Sequence, residues 1–279
     1  MQLQDKVVLI TGGAHGIGRA LAEAFHGAGA RGVAVADLDT AAAEATAARV
    51  DGLALTTDVS QEDEIRRAVA LTEERFGPID LLCSNAGILY SDAPGWTATS
   101  QTNDQWERLW HVNVMAHVWA ARAVLPGMIE RGGGYLLNTV SAAGLLNQIG
   151  DAAYSTTKHA AIGFAESLAI THGDQGIKVS VLCPQAVATQ MLWDAEEAAD
   201  AGVPGAAQAA SADGVLTPEE VAQVTLRGLE DEAFLILPHP QVRDYIQHKA
   251  NDYDRWLGGM RKFRRKLFPD NSIMDFGES

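Results

Sequence analysis

The chain is poor in cysteine. Its two cysteines, Cys83 and Cys183, lie in separate apolar, strand-like runs with no metal-ligand spacing, so both read as small core residues and no metal site is expected. Basic residues are scarce too. With 21 lysines and arginines against 36 aspartates and glutamates, the formal net charge is −15, and such a balance argues against nucleic acid as a partner, because a phosphate backbone demands a basic face. There is no uncharged apolar run of about 18 residues to cross a bilayer, and the opening MQLQDKVVLI enters strand-like sequence without a charged, apolar and small-residue leader. The expectation is a cytoplasmic protein with no membrane-spanning segment. What the chain does have is 47% hydrophobic content, enough for one α/β domain with a full core.

The most informative stretch runs from Tyr135 to Ala169. Tyr135–Val140 has the length and apolarity of a buried strand with Ser141 at its end, and 153–169 repeats apolar residues at helical spacing. Tyr154 and Lys158 stand one helical turn apart on the same face. A cation about 4 Å from a phenol, at an effective dielectric near 20, is worth about 4 kcal/mol, so Lys158 is expected to draw the Tyr154 pKa down toward neutrality. Ser141 is placed to hydrogen-bond the oxygen being protonated.

Near the N-terminus, a short strand over 7–10 is followed by TGGAHGIG, with glycines at 12, 13, 16 and 18, and a helix from about 19 to 28. Such a turn lets backbone N–H groups and the helix dipole hold a phosphate. The spacing is T-G-x(3)-G-x-G, not G-x-G-x-x-G. The next strand, 32–36, ends at Asp37, whose carboxylate can accept from the hydroxyls of an adenosine ribose. Strands over 53–57, 79–83, 178–183 and 234–237 alternate with helices over 61–76, 104–125 and about 218–231. The last of these opens on the capping box Thr217-Pro218-Glu219-Glu220. This alternation describes a doubly wound α/β fold, a parallel sheet with helices on both faces and ligands at the carboxyl ends of the strands.

Five motifs, agreeing in identity and order, resemble the short-chain dehydrogenases/reductases: Thr11-Gly12-x(3)-Gly16-x-Gly18, Asp58, Asn85-Ala86-Gly87, Asn113, and Ser141 with Tyr154-x(3)-Lys158. The resemblance spans about residues 6–237 and implies a Rossmann-like sheet of seven strands in the order 3-2-1-4-5-6-7. It implies that Tyr154 is the general acid in ketone reduction and the base in alcohol oxidation, and that Ser141 polarises the substrate oxygen. It further implies that Lys158 binds the nicotinamide ribose and that Asn113 holds a water linking Lys158 to solvent. NAD would be held by Gly12, His15, Gly16, Ile17, Gly18 and Asp37, with Asp58 and Val59 facing the adenine. Asn85, Ala86 and Gly87 would lie beside it, with Tyr154, Lys158, Pro184 and Val187, and Thr189 would bond the carboxamide. A homodimer or homotetramer through the helices bearing Asn113 and Tyr154 is implied as well. Family members have glycine after the proline of the 184–189 loop. Gln185 stands here, which leaves the path of that loop open and offers an amide to the substrate.

Asp37 would oppose a 2′-phosphate, so NAD is expected over NADP by at least about tenfold in kcat/KM. Leu89, Tyr90, Trp96, Met191, Leu192 and Trp193 suggest an apolar pocket for a bulky secondary alcohol or ketone, and about 189–216 reads as a lid segment centred on alanine-rich 195–214. The alternatives are a non-catalytic dinucleotide sensor or scaffold, against which the intact Ser141, Tyr154 and Lys158 argue, and a sugar-nucleotide epimerase or dehydratase, whose larger substrate domain has no room here. All 279 residues form one expected domain, ending in a helical extension over about 241–268. Tyr245, Lys249, Tyr253, Trp256, Met260, Phe263 and Leu267 mark a mostly apolar stripe there, with a basic end. This extension is expected to dock over the chain's own substrate loop or on a neighbouring subunit, with a membrane-surface helix as the alternative.

Overall fold

The structure, a computed structural model, describes residues 1–92, 97–192 and 211–267. Strands β1 (Val7–Thr11), β2 (Gly32–Asp37), β3 (Leu53–Thr56), β4 (Leu81–Ser84), β5 (Gly134–Thr139), β6 (Ile177–Leu182) and β7 (Leu235–Ile236) form one parallel sheet in the order 3-2-1-4-5-6-7. Central strands such as VVLIT of β1 are buried throughout and apolar up to the terminal Thr11 because they are covered on both faces.

Two apolar layers provide the cover. On one face, α3 (Glu62–Phe76), α5 (Ala116–Glu130) and α7 (Ala152–His172) bury Ile65, Val124, Met128 and Leu168 against Leu9, Leu82 and Leu136. On the other, α1 (Gly16–Gly27), α2 (Thr40–Arg49) and α8 (Pro218–Glu230) bury Leu21, Phe25, Val221 and Leu229 against Val8, Ile10 and Leu137. Alternate residues of one strand therefore feed opposite layers. Short α6 (Ala143–Leu146) follows β5, and α9 (Gln241–Asn251) and α10 (Tyr253–Leu267) end the described chain.

Local structure differs from the sequence expectation in four places. Helix α2, TAAAEATAAR, was not foreseen; it buries only Ala43, Thr46 and Ala47, so no stripe of large apolar residues marks it, although the Asp39 carboxylate caps it by accepting the Ala42 N–H. The helix expected over 104–125 is α4 (Asn103–Trp110), a π-helical turn over His111–Met115 and α5. Helix α5 also runs through Pro126 to Glu130: Pro126 and Arg122, four residues earlier, both lie on the exposed face, so the unpaired carbonyl meets water. The C-terminal extension is two helices, not one, because Asp252 is extended (φ −152°) and its carboxylate accepts the Arg255 N–H at 2.9 Å, starting α10 afresh. Residues 103–130 also have the length and mean hydropathy of a membrane span, but half of that apolar window is buried inside the fold, where it helps form the core.

Candidate active site

Strand order turns between β1 and β4, and a crevice opens there at the carboxyl ends of the strands. It holds a cavity of about 620 Å³ that extends from the glycine turn past Tyr154 to the C-terminal helices. Gly12, His15, Gly16 and Ile17 line one end. Gly18 does not line it but makes its shape: a Cβ there would lie 2.0 Å from the Gly12 carbonyl oxygen, so only glycine lets α1 start this close to the turn. The α1 N-terminus has no side-chain cap, which leaves its first N–H groups turned toward the cavity. A diphosphate fits that end, since Gly12 and Gly16 put no side chain over it and no carboxylate caps the α1 N-terminus.

Asp37, at the end of β2, is held by two backbone donors: Ala14 N–H at 3.0 Å to Oδ2 and Asp39 N–H at 3.1 Å to Oδ1. It lines the cavity beside exposed Leu38, while His15 Nε2 pairs with exposed Asp39 at 3.2 Å. Asp58 and Val59 follow β3 along the same wall, and the Asp58 carboxylate accepts the Ser60 N–H.

Asn85, Ala86 and Gly87 after β4 form the floor. The Asn85 amide donates to the Thr11 and Gly12 carbonyls at 3.2 and 3.0 Å, while the Thr11 hydroxyl accepts the Asn85 and Ala86 N–H groups. These bonds brace the sheet where β1 and β4 would otherwise splay. Asn113 sits in the π-helical turn, fully buried; its amide donates to the Ile88 carbonyl at 2.9 Å and to Thr157 Oγ1 at 3.2 Å and accepts the Ile88 N–H at 3.0 Å. It thus ties the floor to α7 without lining the cavity itself. A widened helical turn at such a position is a frequent mark of a functional site.

Ser141, Tyr154 and Lys158 are all buried and all reach the cavity wall. Ser141 Oγ accepts the Ala143 N–H at 3.0 Å, which fixes the turn into α6. Lys158 Nζ donates to the Thr139 carbonyl at 3.3 Å and lies 5.5 Å from the centroid of the Tyr154 ring. The expected downward shift of the Tyr154 pKa is not found. Burial pushes it up to about 12, against the pull of hydrogen bonding to Ser141 and with the nearby Asp151 charge adding to the rise. Burial also draws Lys158 down to about 8. Desolvation of both groups outweighs the attraction that spacing alone suggested.

Several residues that sequence reasoning passed over surround this trio. Asp151, three positions before Tyr154, is completely buried and faces Asp92, itself 5% exposed; both oxygens of Asp92 accept the Ala152 N–H at 3.1 and 3.2 Å. Burial and then the Asp92 charge push Asp151 up to about 8, opposed by the hydrogen bond from Gln148. Beneath Lys158, buried His117 is drawn down to about 3 by desolvation, so it is neutral and its Nδ1–H donates to Asn138 Oδ1 at 3.0 Å. A lone Asp or His within an apolar run carries no signal that it will meet these partners.

Pro184, Gln185, Val187 and Thr189 close the cavity from the loop after β6. Gln185 keeps an ordinary negative φ, so the loop takes a path that needs no glycine, and its N–H donates to His239 Nδ1 at 3.2 Å. Val187 bridges Leu216, pinning together the two ends of the segment anticipated as a lid. Residues 193–210 of that segment, Trp193 among them, lie outside the described residues, as does Trp96. Leu89, Met191 and Leu192 line the substrate end, whereas Tyr90 packs beside Leu109 and Ala153 behind it. Tyr245, His248, Trp256 and Met260 of α9 and α10 complete that end.

The family model described as short chain dehydrogenase matches residues 6–200. The chain is 33% identical over 259 residues to the 1-deoxy-11-beta-hydroxypentalenate dehydrogenase of Streptomyces exfoliatus, covering 90% of each. It is 32% identical over 244 residues to 3beta-hydroxysteroid dehydrogenase 2 of Eggerthella lenta, covering 84% of this chain and 91% of the relative. Among solved structures, it resembles a short chain dehydrogenase/reductase from Burkholderia phymatum in complex with NAD, with a TM-score of 0.80 and 28% identity over 91% of this chain and 96% of the other.

Proposed function

Because the chain belongs to the short-chain dehydrogenase family, we propose that it interconverts a bulky apolar secondary alcohol and its ketone with NAD as cofactor. The observation that carries this reading is the convergence of Ser141, Tyr154 and Lys158 on one cavity whose other end is an uncapped helix start beside Asp37. The cradle, the open N–H groups and the ribose-facing carboxylate suit NAD: Gly12, Gly16 and Ile17 would hold the diphosphate, Asp37 the adenosine ribose, and Lys158 with Thr189 the nicotinamide end. Held there, NAD would supply the hydride acceptor or donor, in chemistry that belongs to the cofactor.

The chain's own work is to place the substrate and move one proton. Ser141 Oγ donates a hydrogen bond to the substrate oxygen, and Tyr154 Oη gives that oxygen its proton in reduction or takes it in oxidation. With Tyr154 pushed up to about 12, the phenol is protonated at neutral pH and ready as an acid. Oxidation needs the phenolate, so its rate rises with pH while reduction slows. Lys158, drawn down to about 8, carries its charge at neutral pH and supports that phenolate. Asn113 positions the pair by bonding the Ile88 backbone and Thr157, one residue before Lys158.

The bulky apolar substrate rests on Leu89, Leu192 and Trp256 at the far end of the cavity, and finds support in the fused-ring substrates named for the pentalenate and steroid relatives. We place the protein in the cytoplasm as a dimer or tetramer. Trp110 on α4 and Ile170 on α7, 42% and 84% exposed, support assembly through these helices. Sedimentation of the purified protein as a monomer would count against that assembly. The reading itself is tested by following the absorbance of reduced cofactor across a panel of acyclic, cyclic and fused-ring secondary alcohols; no turnover of any of them, with NAD binding intact, rules it out.

A further inference from the structure

We propose that α9 and α10 form the far wall of the substrate site and set its preference for fused-ring secondary alcohols and ketones over small acyclic ones. Trp256 and Met260 would be the contacting side chains, and Lys249 the positioning residue. This rests on the oxidoreductase reading for the reaction, but the wall stands on separate observations.

The first is placement. Trp256 and Met260 face the same cavity as Ser141 and Tyr154, although more than a hundred residues of sequence lie between the two groups. The second is incomplete cover. No residue of α10 is buried, and the helix packs mainly on α9. Trp256 and Met260 are half-buried toward the cavity, while Tyr253 and Leu257 on the flank are 54% and 43% exposed. An apolar helix face left half open onto a cavity is completed by an apolar ligand. A fused-ring skeleton held at Tyr154 has apolar surface to lay against that face of the shared cavity, and a short acyclic chain has little. Arg255, Arg261, Lys262 and Arg265 all lie on exposed positions of α10, so these charges stay in water rather than in the cavity.

The third observation is the anchor. Lys249 Nζ donates to the Leu145 carbonyl of α6 at 2.7 Å and sits 3.4 Å from His159 Nε2 of α7. The same ammonium lies 5.0 Å from the Trp256 ring centroid and 5.5 Å from that of Tyr253. One cation therefore ties α10 to the two helices that follow Ser141 and carry Tyr154. The Tyr245 hydroxyl adds a bond to Asp213 Oδ1 at 3.0 Å, joining α9 to the chain just before α8.

The test compares Trp256→Ala, Met260→Ala and Lys249→Met with Leu257→Ala, a change on the same helix away from the cavity. Two readouts are taken: kcat/KM for a decalin-type secondary alcohol relative to 2-butanol, and calorimetric binding of the decalin-type ketone to the protein with NADH. Loss of the indole contact should lower the ratio for Trp256→Ala by about tenfold and weaken ketone binding to match. Met260→Ala and Lys249→Met should shift both in the same direction by less, and Leu257→Ala should shift neither. Trp256→Phe, which keeps an aromatic wall, serves if the alanine variant does not fold and should restore most of the ratio. An unchanged ratio and unchanged ketone binding in Trp256→Ala and Met260→Ala overturn the wall, as does an equal loss for both alcohols. Tight, Trp256-dependent ketone binding with no turnover of any alcohol by the unmutated protein sinks the oxidoreductase reading and leaves the wall standing.

Discussion

Asp151→Asn should make the protein more stable at alkaline pH while leaving it nearly unchanged in acid. The carboxyl is completely buried beside Asp92, and its pKa rises from 3.8 to about 8. The sign follows from which state holds the proton. Between 3.8 and about 8 the folded chain keeps a proton that the unfolded chain has released, so the group's contribution to stability is complete below 3.8 and lost as pH rises through 8. A rise of about 4 units at 1.36 kcal/mol each sets a ceiling of about 5 to 6 kcal/mol, and relaxation and water entry around an ionised pair bring the realised difference to on the order of 2 kcal/mol. Asparagine has the shape of the protonated acid and keeps an oxygen for the Gln148 amide, which donates at 2.7 Å. Thermal melts at pH 3.5 and pH 9 measure the effect: the variant should match the unmutated protein within about 1 °C in acid and exceed it by roughly 5 °C at pH 9. Because the Asp151 charge also raises Tyr154, alcohol oxidation at pH 9 should be faster in the variant. Equal destabilisation at both pH values would refute the buried-proton reasoning.

Two further outcomes are expected. NAD should be preferred to NADP by at least about tenfold in kcat/KM, since a 2′-phosphate about 4 Å from Asp37 costs roughly 1 to 4 kcal/mol, and Asp37→Ala should narrow the gap mainly by weakening NAD; equal efficiency with both cofactors in the unmutated protein contradicts the placement of Asp37. Gly18→Ala should destabilise the fold by about 1 to 3 kcal/mol and weaken NADH binding, because its Cβ must displace the Gly12 carbonyl; an unchanged melting curve and Kd would count against that contact.

The layered fold is legible in the sequence because buried parallel strands are short apolar runs, and these run from Val7 to Ile236 at intervals filled by helices. Strand order is not written in any one run; it came with the family resemblance. The glycine turn, Asp37 and the Ser141, Tyr154 and Lys158 set are legible because spacing and element ends place them. What spacing does not carry is solvent exclusion. The direction of the Tyr154 shift is not legible for that reason: a four-residue interval says that Lys158 is near, but not that both groups lose their water. Nor does it show long-range pairing. Asp92 meets the Ala152 backbone beside Asp151, and Lys249 meets Leu145, across stretches with no local signal. Asp252 is a different case, since an aspartate before Tyr253 is a readable helix start, but the apolar stripe continues in phase across it and suggested one helix.

Proton transfer by Tyr154 is tested most directly by initial rates of NAD reduction with a fused-ring secondary alcohol, measured for the unmutated protein and Tyr154→Phe, with the Kd of NADH determined for both. The substitution keeps the ring and removes the one hydroxyl placed to take the proton, so turnover should fall by about 10² to 10⁴ with the Kd unchanged within about twofold. Turnover in Tyr154→Phe within a factor of about three of the unmutated protein, at equal cofactor affinity, would show that another group moves the proton.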